Sequence, residues 1–202
     1  ILDERTLKQV EEFKDEIPNL LFVGNPGTGK TTLARIIVND VLGCNYLYIN
    51  ASDESGIDTI RHNITNFAQT KSFDGKVKVI ILDEADGLTT QAQAALRNTM
   101  ETYAKYCRFI LTANYKHKII PAVQSRCQSL DIKPVVQLAV KRCYSILKDE
   151  NIIVSEEQKK KFVHLVKRHF PDLRKTINEL QKNIIDSELC IVSVTGDNEL
   201  LE

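Results

Sequence analysis

The sequence lacks both a net charge and a long hydrophobic run. Its 202 residues carry 27 basic and 27 acidic side chains, balanced on both sides of Pro134. A nucleic acid or an anionic membrane would therefore have to be met by a local patch, which excludes a histone-like binder. No stretch approaches about 18 consecutive apolar residues, and the N-terminus lacks the pattern of a signal peptide. We expect neither secretion nor membrane insertion, and no membrane partner.

Closely spaced cysteines are also missing. The five cysteines form no CxxC pair, and the two nearest in sequence are Cys127 and Cys143. This spacing disfavours a zinc site and predicts reduced thiols in a reducing compartment.

Glycine is scarce in the C-terminal part, since seven of the eight glycines precede residue 88. Between residues 19 and 132, short β-branched apolar runs alternate with helix-length segments. The runs are 20–23, 46–49, 77–82, 109–111 and 129–132, and the helical segments include 31–42, 57–70 and 90–103. Strands buried on both faces have this composition, and their alternation with helices is typical of parallel sheets. The pattern predicts an α/β fold with a doubly wound, five-stranded parallel sheet.

Beyond Pro134 the pattern becomes helical. Apolar residues recur at helical spacing in 136–148, 156–169 and 172–185, without β-runs. Ser155 is the expected N-cap of the second segment, and Pro171 is expected at or near the first turn of the third. We predict two domains, an α/β domain at 1–134 and a small helical domain at 135–202.

A phosphate-binding loop lies between the first β-run and the helix that follows it. Residues 24–31 fit the pattern GxxxxGK[ST]. Three glycines let the backbone N–H groups turn toward a polyphosphate, Lys30 would reach its β- and γ-phosphates, and Thr31 would offer a hydroxyl to Mg²⁺. The predicted nucleotide-binding residues are Gly24, Asn25, Pro26, Gly27, Thr28, Gly29, Lys30, Thr31 and Thr32.

Two carboxylates follow the third β-run. Asp83 is expected to hold Mg²⁺ through water, with Thr31 offering its hydroxyl, and Glu84 to orient and deprotonate an attacking water. A phosphoryl transferase would not need the second carboxylate, so the pair favours hydrolysis. Residues 83–86 spell DEAD, but an RNA helicase needs a second domain of similar size, and only about 70 residues follow Pro134.

The residues taken together resemble AAA+ ATPases and, within them, the sliding-clamp loaders. The resemblance covers about 17–185 and rests on the segments 50–54, 93–101, 112–115 and 124–127, of which Ser125-Arg126-Cys127 is the most specific. Residues 170–177 look closest to the tailed-phage clamp loaders, while other segments also resemble replication factor C small subunits. The resemblance implies an ATPase with ATP and Mg²⁺ as cofactors and a C-terminal helical lid.

Further site residues are implied by the resemblance. Asn114 would be the sensor that holds the γ-phosphate or the attacking water, and Arg174 the second sensor on the lid. Arg126 would be an arginine finger acting in trans on the ATP of a neighbouring subunit. Its permanently charged, forked guanidinium suits that task. An isolated subunit is therefore expected to hydrolyse ATP poorly.

In clamp loaders, subunits assemble into a ring or spiral, open a sliding clamp and track the phosphates of primer–template DNA with helix N-termini. Here the matching contacts would come from Ile57, Asp58, Thr59 and Arg61, with Arg97 linking DNA to the ATP site. The family usually has a basic switch residue between Glu54 and Gly56. This chain has Ser55 there, so we consider Asn50 as the substitute switch.

Other features leave alternatives open. The N-terminal Lys-Tyr-Arg-Pro motif and the helical collar of clamp-loader subunits are absent, so we expect the sequence to be a fragment that covers only the ATPase module, or other regions to complete it. The protein would act in a bacterial host cytoplasm if phage-like and in a nucleus if eukaryotic. A nucleotide-binding subunit with a purely structural role, or another AAA+ DNA-remodelling ATPase, are the competing hypotheses. Glu84 and Asn114 argue against the first, and the Ser-Arg-Cys triplet against the second.

Overall fold

The structure is a computed structural model that describes residues 1–14, 16–52, 57–70 and 76–192, with only the backbone at 57–61. The chain divides into two compact units, Leu2–Lys133 and a second unit that begins at Pro134. The two units are described in turn.

A five-stranded sheet forms the centre of the first unit. Its strands are β1 (Leu20–Val23), β2 (Tyr46–Asn50), β3 (Lys78–Asp83), β4 (Cys107–Ala113) and β5 (Gln128–Asp131). They lie in the order β2-β3-β4-β1-β5, and every neighbouring pair is parallel. The predicted five-stranded parallel sheet is confirmed.

Helix α1 (Glu4–Glu12) precedes the first strand. The helices between the strands are α2 (Lys30–Ile36), α3 (Ile57–Gln69), α4 (Thr90–Thr102) and α5 (Pro121–Gln124). Helix α2 continues into a π-helical turn at Ile37–Val41, and short 3-10 turns span Ala85–Gly87 and Lys116–Lys118.

Each central strand buries alternate residues on opposite faces of the sheet. Ile80 and Leu82 of β3 pack in a cluster with side chains of α3, α4 and α5, whereas Val79 and Ile81 pack in a second cluster with side chains of α1 and α2. Successive strand residues point to opposite faces, so a sheet covered on both sides requires apolar residues at every position. This explains the continuous β-branched runs and confirms the doubly wound arrangement.

The strand order places three loops side by side at the carboxyl edge of the sheet. Val23 at the end of β1 pairs with Ala113 at the end of β4, and β4 is also the neighbour of β3. In open parallel sheets, ligands bind in the crevice outside the carboxyl ends of the strands. The residues that follow β1, β3 and β4 therefore share one site.

The second unit packs three helices around its own core. They are α6 (Val136–Asp149), α7 (Glu156–His169) and α8 (Leu173–Lys182). Cys143, Phe162 and Val166 are among its buried side chains, and burial raises the pKa of the Cys143 thiol. Ser155 occupies the N-cap position of α7, as predicted.

The prediction that the third helix extends to residue 185 is wrong, because α8 ends at Lys182. A small hairpin follows, in which β6 (Ile184–Ile185) pairs with β7 (Glu188–Leu189). Asp186 and Ser187 take left-handed backbone conformations, with φ of 48° and 62°. Two consecutive left-handed residues form the tight turn that suits a two-residue hairpin, so local turn geometry overrides the helical spacing.

Pro171 lies next to the first turn of α8, as expected. It directly precedes the N-cap. The N-cap is Asp172, whose Oδ1 accepts a hydrogen bond from the Lys175 backbone N–H at 2.9 Å. An aspartate satisfies an otherwise unpaired N–H at a helix start, which makes it the stronger start signal here.

Within the described part of the chain, none of the helices combines the length and the apolar character needed to cross a membrane.

Candidate nucleotide site

The loop between β1 and α2 depends on its glycines. Gly27 and Gly29 have φ of 73° and 93°, a left-handed conformation that disfavours residues with a Cβ. A Cβ at Gly24 would lie 2.7 Å from the Ile132 carbonyl oxygen, which is too close for any other residue. Inside the loop, the Thr28 hydroxyl donates to the Asn25 carbonyl oxygen at 2.9 Å. The loop is thus a tightly curled connection that ends where α2 begins.

Lys30 is 7% exposed and extends back across this loop. Its Nζ donates to the carbonyl oxygens of Gly24 and Asn25, both at 2.9 Å, and to Oδ1 of Asn114 at 2.8 Å. The structure therefore joins the predicted phosphate-binding lysine to the predicted sensor, although 84 residues separate them in the sequence.

Asp83 ends β3 and is 8% exposed. Its Oδ1 accepts hydroxyl hydrogen bonds from Thr31 at 2.7 Å and Thr112 at 2.6 Å, and its Oδ2 accepts one from Tyr48 at 2.8 Å. Burial, followed by the hydrogen bond to Asp83, raises the pKa of Tyr48 above its ordinary value. The two predicted metal-holding residues, Thr31 and Asp83, are in direct contact.

Glu84 has a different environment from its neighbour. Its side chain is exposed, and its backbone is left-handed with φ of 54° and ψ of 41°. Its N–H donates to the Thr112 hydroxyl at 3.0 Å. A non-glycine residue in this conformation costs about 1–2 kcal/mol. Such strain persists where the surrounding structure imposes it, frequently at functional sites.

Asp86 connects the two loops that carry Glu84 and Asn114. Its Oδ2 accepts backbone N–H hydrogen bonds from Asn114 at 3.2 Å and Tyr115 at 3.1 Å. Its Oδ1 is buried and has no hydrogen-bond partner among the described residues. The carboxylate holds the start of the loop after β4, and thereby the backbone from which Asn114 reaches Lys30.

The donor set fits a magnesium-bound nucleoside triphosphate. The Thr31 hydroxyl and the Asp83 carboxylate are hard oxygen ligands of the kind that Mg²⁺ prefers. Lys30 and the start of α2 provide positive charge at the loop.

Three residues at this site were not predicted from the sequence: Tyr48, Asp86 and Thr112. Thr112 is a polar residue that follows the apolar run 109–111 in β4, which was a usable signal. Tyr48 and Asp86 gave no such local signal, and their partners lie 35 and 28 residues away.

Arg126 lies away from these contacts, just after α5. Its guanidinium forms an ion pair with Glu101, with Nε at 2.8 Å from Oε1, and donates through Nη1 to the Ala122 carbonyl oxygen at 2.6 Å. The side chains of Arg126 and Glu101 are 33% and 51% exposed. Arg126, the arginine predicted to act in trans, is therefore partly exposed on the first unit.

Three other predicted site residues, Asn50, Arg97 and Arg174, lie on separate elements. Asn50 pairs in register with Asp83, and its Oδ1 accepts from the Ser52 hydroxyl at 2.9 Å. Arg97 lies on α4 and donates to Oδ1 of its neighbour Asn98. Arg174 is exposed in the first turn of α8.

The predicted DNA contacts at 57–61 belong to the N-terminal part of α3. Only the backbone is described there, so the side chains of Ile57, Asp58, Thr59 and Arg61 lie outside the described part of the structure, as does Ser55.

Two family models match the chain. Residues 20–134 match the ATPase family associated with various cellular activities (AAA). Residues 131–189 match the AAA+ ATPase lid domain of the sliding-clamp-loader large subunit.

The chain is also similar to curated proteins that are named as replication factor C subunits. A replication factor C small subunit of Archaeoglobus fulgidus is 46% identical over 83% of this chain and 54% of the relative. One of Methanoregula boonei is 47% identical over 82% of this chain and 52% of the relative. Replication factor C subunit 3 of Blastobotrys adeninivorans is 38% identical over 98% of this chain and 58% of the relative.

The chain spans about half the length of these relatives. The AAA match covers more than half of the chain, and its residues include the phosphate loop, the Asp83–Thr31 contact and Asn114. On these grounds the chain belongs to the AAA family of ATPases.

Proposed function

We propose that this chain is the ATP-hydrolysing module of a subunit of a DNA polymerase sliding-clamp loader. The observation that carries the proposal is the convergence of Lys30, the Thr31–Asp83 pair and Asn114 at one edge of the sheet. The match of residues 131–189 to a clamp-loader lid and the names of the relatives select this function among AAA ATPases.

The phosphate groups of ATP would be bound by the loop and Lys30. When phosphate oxygens arrive, the Lys30 ammonium can exchange its contact with Asn114 for them, which releases the Asn114 amide. Thr31 and Asp83 would hold Mg²⁺, which supplies charge neutralisation at the β- and γ-phosphates.

Hydrolysis would depend on Glu84 and Asn114. The exposed Glu84 carboxylate accepts a proton from the attacking water, while the Asn114 amide orients that water or the γ-phosphate without neutralising Glu84. The products would be ADP and phosphate. The lid residue Arg174 would act on the same nucleotide.

The partners we propose are other clamp-loader subunits, the sliding clamp and primer–template DNA. Arg126 would complete the ATP site of a neighbouring subunit, so full turnover needs the assembly. The backbone N–H groups at the start of α3 and the Arg97 side chain would contact DNA phosphates. Because the chain has no net charge, we expect a single subunit to bind DNA weakly and the assembly to bind it strongly. Asn50 would act as the switch residue.

The test is ATP turnover by the full-length protein, assembled with the other clamp-loader subunits of its own replication system. Turnover is measured alone, with clamp, with primer–template DNA and with both. We expect stimulation by each and the highest rate with both, while Lys30→Ala abolishes nucleotide binding and turnover at this chain's own site. If neither DNA nor clamp raises the rate of an active assembly, the clamp-loader function is wrong.

A further inference from the structure

The Asp83 carboxylate is held by hydroxyl groups from three separate elements. Thr31 on α2 and Thr112 on β4 both donate to Oδ1, whereas the Tyr48 hydroxyl on β2 is the donor to Oδ2. Each carboxylate oxygen is therefore held in place by at least one hydrogen bond. Rotation about the Cβ–Cγ bond would break contacts on both sides.

The direction of the Thr31 contact matters for metal binding. With its hydrogen donated to Asp83 at 2.7 Å, the Thr31 oxygen keeps its lone pairs for a cation. If the Asp83 carboxylate rotated, its Oδ1 would lose the hydrogen bond from the Thr31 hydroxyl, and the two oxygens would no longer lie side by side. The hydrogen bond from the Tyr48 hydroxyl to Oδ2 opposes this rotation, because it holds the carboxylate oxygen that Thr31 and Thr112 do not contact.

The Tyr48 ring is itself held in place. The Arg35 guanidinium carbon lies 4.7 Å from the ring centroid, within the range of a cation–π contact. The ring also packs against the buried cluster that covers the α2 face of the sheet. Arg35 belongs to α2, the same helix that carries Lys30 and Thr31, so one helix positions both the metal ligand and the tyrosine.

We propose that Tyr48 is a positioning residue that sets the divalent-metal affinity of the nucleotide site, by holding Asp83 in the orientation that presents Oδ1 to Thr31. The inference rests on the proposed function, because it assumes that a magnesium-bound nucleotide occupies the site. Tyr48 acts through Asp83 and touches neither the nucleotide nor the metal. Hydrogen-bond partners of metal ligands commonly tune metal affinity in this way.

The experiment compares Tyr48→Phe with the wild-type chain and with Tyr46→Phe. The control removes the same hydroxyl group two residues earlier, from the same face of β2. Binding of the fluorescent N-methylanthraniloyl derivative of ADP is measured in EDTA and during a Mg²⁺ titration, and thermal unfolding is followed in parallel.

We expect Tyr48→Phe to require about tenfold more Mg²⁺ for half-maximal binding, with the affinity in EDTA unchanged. Tyr46→Phe should behave like the wild type. Arg35→Ala, an exposed position, provides a second variant if Tyr48→Phe unfolds, and it should raise the Mg²⁺ requirement by a smaller factor.

An unchanged Mg²⁺ requirement in Tyr48→Phe would overturn the inference and leave the proposed function intact. An equal loss of affinity in EDTA and in Mg²⁺ would also overturn it, because a purely structural role predicts that pattern. If the wild-type chain binds the nucleotide derivative in neither condition, the proposed function itself fails and the inference fails with it.

Discussion

The surroundings of Asp83 and Arg126 differ in how firmly they hold a functional side chain. Asp83 is buried and accepts three hydroxyl hydrogen bonds from α2, β2 and β4. Arg126 is one-third exposed and is held by the Glu101 carboxylate, which is half exposed, and by the Ala122 carbonyl oxygen.

The energies differ accordingly. A buried hydrogen bond to a charged acceptor contributes about 1.5–3 kcal/mol, whereas an exposed ion pair contributes about 1 kcal/mol or less. A group that serves the chain's own nucleotide can be preorganised rigidly. A group proposed to serve a neighbour needs contacts that it can leave at low cost, and the Arg126 environment has that property.

The largest effect that would sharpen this contrast is expected from Arg126→Ala. If Arg126 acts only in trans, ATP binding by the isolated chain stays unchanged, while in the assembled complex turnover at the neighbouring ATP site that it completes falls by about a thousandfold or more. Arg126→Lys keeps the charge but not the planar fork, so it should recover only part of the rate. The measurements are nucleotide titration of the single chain and steady-state turnover of the complex. Unchanged turnover of the complex would contradict the trans role.

An intermediate effect is expected from Asp86→Ala, which changes the firmly held nucleotide site to which Asp83 also belongs. Without the acceptor for the Asn114 and Tyr115 N–H groups, the Asn114 amide shifts, and turnover should fall by about ten- to a hundredfold with little change in nucleotide affinity. Asp86→Asn retains an acceptor oxygen of the same shape and should stay close to wild type. If turnover fell equally in Asp86→Ala and Asp86→Asn, the negative charge of Asp86 would be what matters, and not its positioning of Asn114.

The smallest effect is expected from Glu101→Gln, measured as the free energy of unfolding in urea. Because both side chains are substantially exposed, we expect a loss of no more than about 1 kcal/mol, and a smaller one at high salt. Glu156→Gln, which removes the exposed ion pair with Lys159, is the matched control. A loss of several kcal/mol in Glu101→Gln alone would mean that Arg126 is a structural residue, and the contrast with Asp83 would disappear.

Much of the fold could be predicted, because each strand carries its own signal. The run at residues 20–23 coincides with β1, and the order of β-runs and helices correctly indicates a parallel sheet. Strand ends were less accurate: β4 begins at Cys107, two residues before the predicted run. In the second unit, the left-handed turn at Asp186 and Ser187 ends a helical pattern that periodicity alone would continue.

The site was predictable to a lesser degree. Lys30, Thr31 and Asp83 could be found because their spacing follows from the geometry of a loop and a strand end, which are local features. The hydrogen bonds of Tyr48 to Asp83 and of Asp86 to the Asn114 N–H could not be found, because they depend on which strands are neighbours and in what register.

The sequence by itself determined the parallel α/β architecture, the phosphate loop and the chemical identity of the oxygens proposed to bind the metal. The reason is that burial on both faces, left-handed glycines and a carboxylate at a strand end are properties of short segments. Only the tertiary structure decided that Lys30 meets Asn114, that three hydroxyl groups hold Asp83, and that Glu101 pairs with Arg126. These contacts join residues far apart in the chain, and the strand order β2-β3-β4-β1-β5 and helix packing bring them together.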